Sequence, residues 1–139
     1  MIVLDMKLLS ELLRAVPDPA VLRWAASEPL ETLFTTTVTQ AAMLYGVKLL
    51  PAGQRREQLE QGVMALFEED FVGRVLPFDG EAAIAYAQIA SERKQRGRPI
   101  SQFDAQIAAI TRPRGARLAT RNVADFQECD LDIVNPWQL

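Results

Sequence analysis

Four polar positions scattered along the chain carry side chains that could work together on a phosphodiester: Asp5, Asp104, Asn122 and Asp125. Asp5 closes the apolar run Ile2-Val3-Leu4, as a buried parallel strand delivers an acid to the carboxyl edge of a sheet, where α/β sites are built. Asp104 opens a later apolar helix, and Thr120-Arg121-Asn122 with Asp125 follows another short apolar run. These groups offer oxygen and no nitrogen or sulfur, which suits a hard cation that activates water and stabilises charge on a phosphate. The chain holds no His and one Cys, Cys129. Ser-His-Asp and Cys-His catalysis, His-ligated zinc and an intrachain disulfide are therefore excluded. Cys129 lies between Glu128 and Asp130, which would raise its pKa, and reads as an inert thiol.

Each residue also has a purely structural reading. Asp5 could cap the turn after its strand. Ser101 followed three residues later by Asp104 resembles a capping box, and an acid in a first helical turn is stabilised by roughly 0.3–1 kcal/mol by the macrodipole. Thr120, Asn122 and Asp125 could form an Asx-type turn and cap a short helical turn. The functional reading rests on all of them falling at strand ends or helix starts on one side of a sheet.

The elements that would place them there alternate. Strand Ile2–Asp5 is followed by helical spacing over Leu8–Arg14, then by a helix capped by Asp18 with Pro19 at its first position. Leu33–Thr36 reads as a strand, and Thr37 or Thr39 as the cap of a helix running to Leu50, broken at Pro51-Ala52-Gly53. Gln54–Phe67 is amphipathic. Arg74–Phe78 offers a strand of one or two usable residues, and Asp79 caps a helix ending in basic residues, with Gly97 as its stop. Ser101 starts the most apolar helix, which Pro113 must end or kink. Arg117–Thr120 and Ile133-Val134 complete the strands. This alternation predicts a three-layer α/β/α sandwich with a mainly parallel central sheet, built as a single domain over residues 1–139.

With 139 residues, 49% of them hydrophobic, the chain can bury a real core. No stretch approaches the roughly 18 apolar residues of a membrane span, and no signal-peptide pattern opens the chain, so a cytoplasmic protein is expected. The net charge of −3 argues against broad nonspecific nucleic-acid binding. Basic clusters at Arg55-Arg56, Arg93-Lys94-Arg96-Arg98 and Arg112-Arg114-Arg117 read as solvated faces and helix-dipole partners. Trp24 and Trp137 read as packing residues.

Taken as an ordered set, the segments Ile2-Val-Leu-Asp5 with Leu9-Ser-Glu11, Thr39–Val47, Leu76-Pro-Phe-Asp79, Gly97–Ala109, Ala119–Phe126 and Asn135-Pro-Trp137 resemble a PIN domain of the bacterial VapC/FitB toxin type. The resemblance covers essentially the whole chain. It implies a Mg²⁺- or Mn²⁺-dependent ribonuclease acting on RNA, held inactive by a cognate antitoxin that is also a DNA-binding autoregulator, and usually a homodimer. Asp5 and Asp104 match the first and third acids of the family pattern; Asn122 stands where an acid often follows Thr-Arg, with Asp125 three residues on. Two departures fall on the chemistry. Met6-Lys7 replaces a small polar pair after the first acid, and Ala42 replaces the usual Glu of the Thr-x-Ala-Glu helix, so a metal ligand is missing and an ammonium is added. An impaired or inactive ribonuclease is the expectation; the rival is a catalytically dead PIN domain that binds antitoxin or RNA. A receiver-like signalling domain using Asp5 lacks a clear strand-end phosphoacceptor. The apolar positions Leu8, Leu12, Val21, Leu22, Met43 and Leu44 are expected to supply surface for dimerisation and antitoxin docking.

Overall fold

The computed structural model describes residues 1–139. Its centre is a five-stranded sheet, all parallel, in the order β3-β2-β1-β4-β5. The strands are β1 (Ile2–Leu4), β2 (Leu33–Thr36), β3 (Val75–Leu76), β4 (Arg117–Ala119) and β5 (Asp132–Val134). Six helices connect them: α1 (Met6–Leu12), α2 (Pro19–Ser27), α3 (Thr37–Lys48), α4 (Gln54–Ala65), α5 (Gly80–Gln95) and α6 (Gln102–Thr111). After β1 the chain moves outward through β2 and β3, then returns to lay β4 on the other side of β1. The carboxyl ends of β1 and β4 thus flank the topological switch point, where parallel sheets open a crevice.

Both faces of so short a sheet must be covered, and its strands accordingly read as nearly continuous apolar runs. Ile2 and Leu4 of β1 join Leu8, Leu9, Val21, Trp24, Val47 and Val63 in a core under α1–α4. Val3, between them, faces the other way and packs with Leu118, Ile89 and Ile107–Ile110 under α5 and α6. The register Val3↔Leu118 and Leu4↔Ala119 locks the two central strands, so Asp5 and Thr120 leave the sheet side by side.

Local chemistry sets the helix starts. Asp18, Asp79 and Ser101 accept the N–H of Ala20, Ala82 and Asp104 at 2.8, 3.0 and 3.1 Å. The cap of α3 is Thr36, whose Oγ1 accepts Thr39 N–H at 3.0 Å, and neither Thr37 nor Thr39 fills that role. Thr36 is the last residue of β2, so the chain turns from strand to helix with no intervening loop. The first helix begins at Met6 and ends at Leu12, two residues earlier at each end than the apolar spacing suggests, because Asp5 caps it directly. Gly97, at φ +71°, supplies the left-handed turn that stops α5. Pro113 ends α6 in a 3₁₀ turn, Arg112–Arg114.

Part of the apolar surface expected for partners is consumed by the fold. Leu8 and Val21 are fully buried in the chain's own core. Leu12, Met43 and Leu44 pack only partly against that core, and Leu22 remains 44% exposed.

Candidate active site at the β1–β4 edge

Asp5 sits where β1 becomes α1, and each oxygen of its carboxylate accepts one hydrogen bond. Oδ1 accepts Leu8 N–H at 2.9 Å, and Oδ2 accepts the Thr120 hydroxyl at 2.5 Å. Thr120 Oγ1 in turn accepts Asn122 N–H at 3.0 Å, tying the loop after β4 to the end of β1. The structural and functional readings of Asp5 are therefore satisfied together: it caps α1 and also stands at the switch point. Only 5% exposed, it is held above the usual carboxylate range, chiefly by burial. The Thr120 and Leu8 hydrogen bonds oppose that rise, repulsion from Asp104 adds to it, and the Lys7 ammonium opposes it.

Asp104 lies in the first turn of α6, half-buried, with its backbone N–H on Ser101 Oγ. Its pKa is also raised, first by burial; the Ser101 hydroxyl lowers it, Asp125 raises it, and Lys7 and Arg93 lower it. Asp125, on the 3₁₀ turn Val123–Phe126, is exposed. The backbone of Asn122 begins that turn, but its side chain does not cap it. Charge repulsion thus links Asp104 to Asp5 and to Asp125. No three His, Cys, Asp or Glu side chains stand close enough together to hold one metal ion.

The departures occupy distinct places. Ala42 on α3 lies where two hollows meet, one lined by Phe103 and Gln106 of α6 and the other by Met6 of α1. A longer acidic side chain there would be directed between the helices that carry Asp5 and Asp104. Met6 turns into the apolar hollow with Met43 and Val47. Lys7 is exposed, as a solvent-directed lysine would be, yet close enough for its charge to act on both Asp5 and Asp104.

A divalent cation asks for several correctly placed oxygens before it sheds water. Of the oxygens at this edge, those of Asp5 each accept one internal hydrogen bond and keep a further lone pair, Asp104 is half-buried, Asp125 is exposed, and Ala42 offers none.

Arg93 was hidden in the sequence among basic residues read as solvated. It is 6% exposed and donates to the carbonyls of Arg98 at 2.7 Å and of Asp125 and Gln127 at 2.9 Å. Nη1 also reaches Cys129 Sγ at 3.4 Å. The clue was present: Ala82, Ala85, Ile89 and Arg93 share the buried stripe of α5. Cys129 is buried and its thiol pKa is raised by that burial, partly offset by Arg93, rather than by its acidic sequence neighbours. Trp24 is a core residue as expected, whereas Trp137, packed only partly, has the Arg121 guanidinium 5.4 Å from its ring centre.

The PIN domain family model matches residues 2–130. The chain belongs to the PIN-domain family, in its VapC/FitB branch. It is 39% identical over 138 residues to the VapC ribonuclease Y4jK of Sinorhizobium fredii, covering 99% of both chains. To the toxin FitB of Neisseria gonorrhoeae it is 38% identical over 141 residues, again covering 99% of both. A solved structure of FitAB bound to an IR36 DNA fragment superposes with a TM-score of 0.92 at 37% identity, covering 100% of this chain and 97% of that one. The expected α/β/α architecture of the PIN domain is the one observed, with a sheet that is wholly rather than mainly parallel.

Proposed function

We propose that this PIN domain is a toxin-type ribonuclease scaffold whose metal-dependent site is impaired, and that it retains antitoxin binding and dimerisation. One observation supports the catalytic part: no three acidic side chains at this edge come together in a cluster that could hold a cation, with Ala42 offering no oxygen. Asp5, Asp104, Asn122 and Asp125 are the remnant of the site, Thr120 its support, and Ala42, Met6 and Lys7 its lesions. The VapC ribonuclease relative supports RNA as the substrate class.

A Mg²⁺ or Mn²⁺ titration of RNA cleavage tests this reading. The unmodified chain is expected to cleave at background rate at physiological Mg²⁺. Ala42→Glu is expected to restore cleavage in part, because Lys7 still opposes the cation. Ala42→Glu with Met6→Thr and Lys7→Asn should restore substantially more. Strong Mg²⁺-dependent cleavage by the unmodified chain, abolished by Asp5→Ala, would overturn the reading.

The hollow between α1, α3 and α4 supports the binding part. It measures about 400 Å³ and is lined by Met6, Leu13, Met43, Leu50, Leu59 and Val63 among others. That apolar lining suits an amphipathic partner segment, and the FitAB structure is one in which a chain of this fold is complexed. Calorimetry against a cognate antitoxin should give saturable binding that a charge at Met43 weakens, and light scattering at high micromolar concentration should report a dimer. A monomer with no heat of binding would refute both.

A further inference from the structure

A second hollow adjoins the apolar one, with which it shares Ser10 and Arg14; it is about 420 Å³ in size and lined by Lys7, Ser10, Glu11, Arg14, Arg121 and Trp137. Three cations against one carboxylate make it locally basic, although the chain as a whole carries a net charge of −3. Its one acid, Glu11, is buried, pairs with Arg14 at 3.2 Å and accepts the backbone N–H of Asp18 at 3.1 Å, which leaves Lys7 and Arg121 as the cations without an ion pair. Lys7 and Ser10 lie one turn apart on α1, and Arg14 follows just beyond the end of that helix. Lys7 acts electrostatically on Asp5 and Asp104, so one end of the hollow abuts the candidate active site.

Arg121 gives the hollow its second feature. It follows Thr120 directly, and its guanidinium lies over Trp137, whose backbone is itself fixed by Asn135 Oδ1 at 3.0 Å. A guanidinium beside an indole combines two groups that stack on unpaired bases, and the guanidinium edge also binds phosphate. Trp137 is shared with an adjoining hollow that carries Arg23, so the basic lining continues away from the carboxylates.

We propose that this face, from Lys7 along α1 to Arg121 on Trp137, is a binding track for single-stranded RNA that leads its backbone toward the Asp5–Asp104 edge. The proposal deepens the ribonuclease-scaffold reading and rests on it. Its elements are those of single-strand recognition: spaced cations for phosphates and an aromatic–cation pair for a base. A protein partner of acidic character is the competing occupant, but it would make no use of an aromatic ring beside the cations, where a base can stack.

Trp24 is buried, which makes Trp137 the indole that RNA can reach. The test titrates the full chain with an unlabelled, mixed-sequence single-stranded 12-mer RNA in EDTA, where no cleavage intervenes, and follows tryptophan fluorescence. Binding should quench Trp137, and log Kd should rise with log salt with a slope of about 2, since roughly 0.7 of a counterion is released per phosphate neutralised. Arg121→Ala should weaken binding about tenfold and reduce the slope by about 0.7; Lys7→Ala and Arg14→Ala should each reduce the slope similarly. Arg121→Lys should keep the slope and lose the quenching, and Arg55→Ala, on α4, should change neither. Matching thermal melts confirm that these surface variants fold. RNA binding that is indifferent to Arg121, Lys7 and Arg14 overturns the track alone and leaves the ribonuclease scaffold standing. Absence of RNA binding by the parent chain sinks both. Quenching by a polyglutamate peptide but not by RNA overturns the track in favour of a protein partner.

Discussion

Two buried charges, Asp5 and Arg93, stand on the same side of the molecule and are treated in opposite ways. Arg93 has its donors spent on three backbone carbonyls and a thiol, and it clamps the loop from Asp125 to Cys129. Asp5 receives two hydrogen bonds and no ion pair, faces a second carboxylate, and is pushed toward its neutral form. A buried charge satisfied by its own fold is structural; one left short of compensation is poised to meet something else, and strongly perturbed acids cluster at sites for that reason. The loop held by Arg93 presents Asp125, so the satisfied charge supports the unsatisfied ones.

The sharpest way to break this contrast is to remove the satisfied charge. Arg93→Met leaves the carbonyls of Arg98, Asp125 and Gln127 without their donor, and the expected cost is about 3 kcal/mol in urea denaturation. Arg93→Lys should recover only part of it, because an ammonium cannot reproduce the guanidinium fork. A cost below about 1 kcal/mol for Arg93→Met would show that the clamp is incidental.

The poised charge should behave differently. Asp5→Ala removes the α1 cap, a loss of about 1 kcal/mol, while also relieving a buried carboxylate, so its net cost should not exceed that of an ordinary cap deletion. Asp5→Asn keeps an acceptor for Leu8 N–H and should be neutral or stabilising at pH 7 in the same denaturation assay. A large destabilisation by Asp5→Asn would mean that the charge itself holds the fold together.

The smallest effect concerns Asp104 and pH. Its folded pKa is raised, so the favourable contribution of the carboxyl is complete below its unfolded value of about 3.9 and is lost as pH rises through the folded value. Asp104→Asn should therefore gain on the parent progressively as pH climbs from about 4 toward 7. The gain should reach on the order of 0.5 kcal/mol, since the side chain is half-exposed and screened. An advantage that is greatest at acid pH would reverse the sign of this argument.

Much of the framework was legible one segment at a time. A strand such as Ile2-Val3-Leu4 or Leu33–Thr36, and caps such as Asp18, Asp79 and Ser101, are decided within a few residues by apolar runs and by side chains that accept nearby N–H groups. The same locality made Asp5, Asp104 and the Thr120–Asp125 segment readable as candidates, and Ala42, Met6 and Lys7 as departures. Locality also explains the errors. Thr36 caps α3 because β2 ends there, which no pattern in the threonine run distinguishes. Leu8 and Val21, read as partner surface, are core because α1 and α2 turn them inward to pack with Ile2, Leu4 and Trp24.

The sequence by itself determined the element order, the family and the identity of the acids, because short-range sterics, periodicity and capping act within a turn or a strand. Only the tertiary structure decided that Asp5 is locked by Thr120 from 115 positions away, and that Asp104 is coupled by charge to Asp5 and Asp125 without the three forming a metal-holding cluster. It also decided that Arg93 is buried, while Lys7 joins Arg121 and Trp137 on one face. Burial and Coulombic neighbours are properties of the packed chain, and they are what turn a carboxylate into a cap, a ligand or a poised acid.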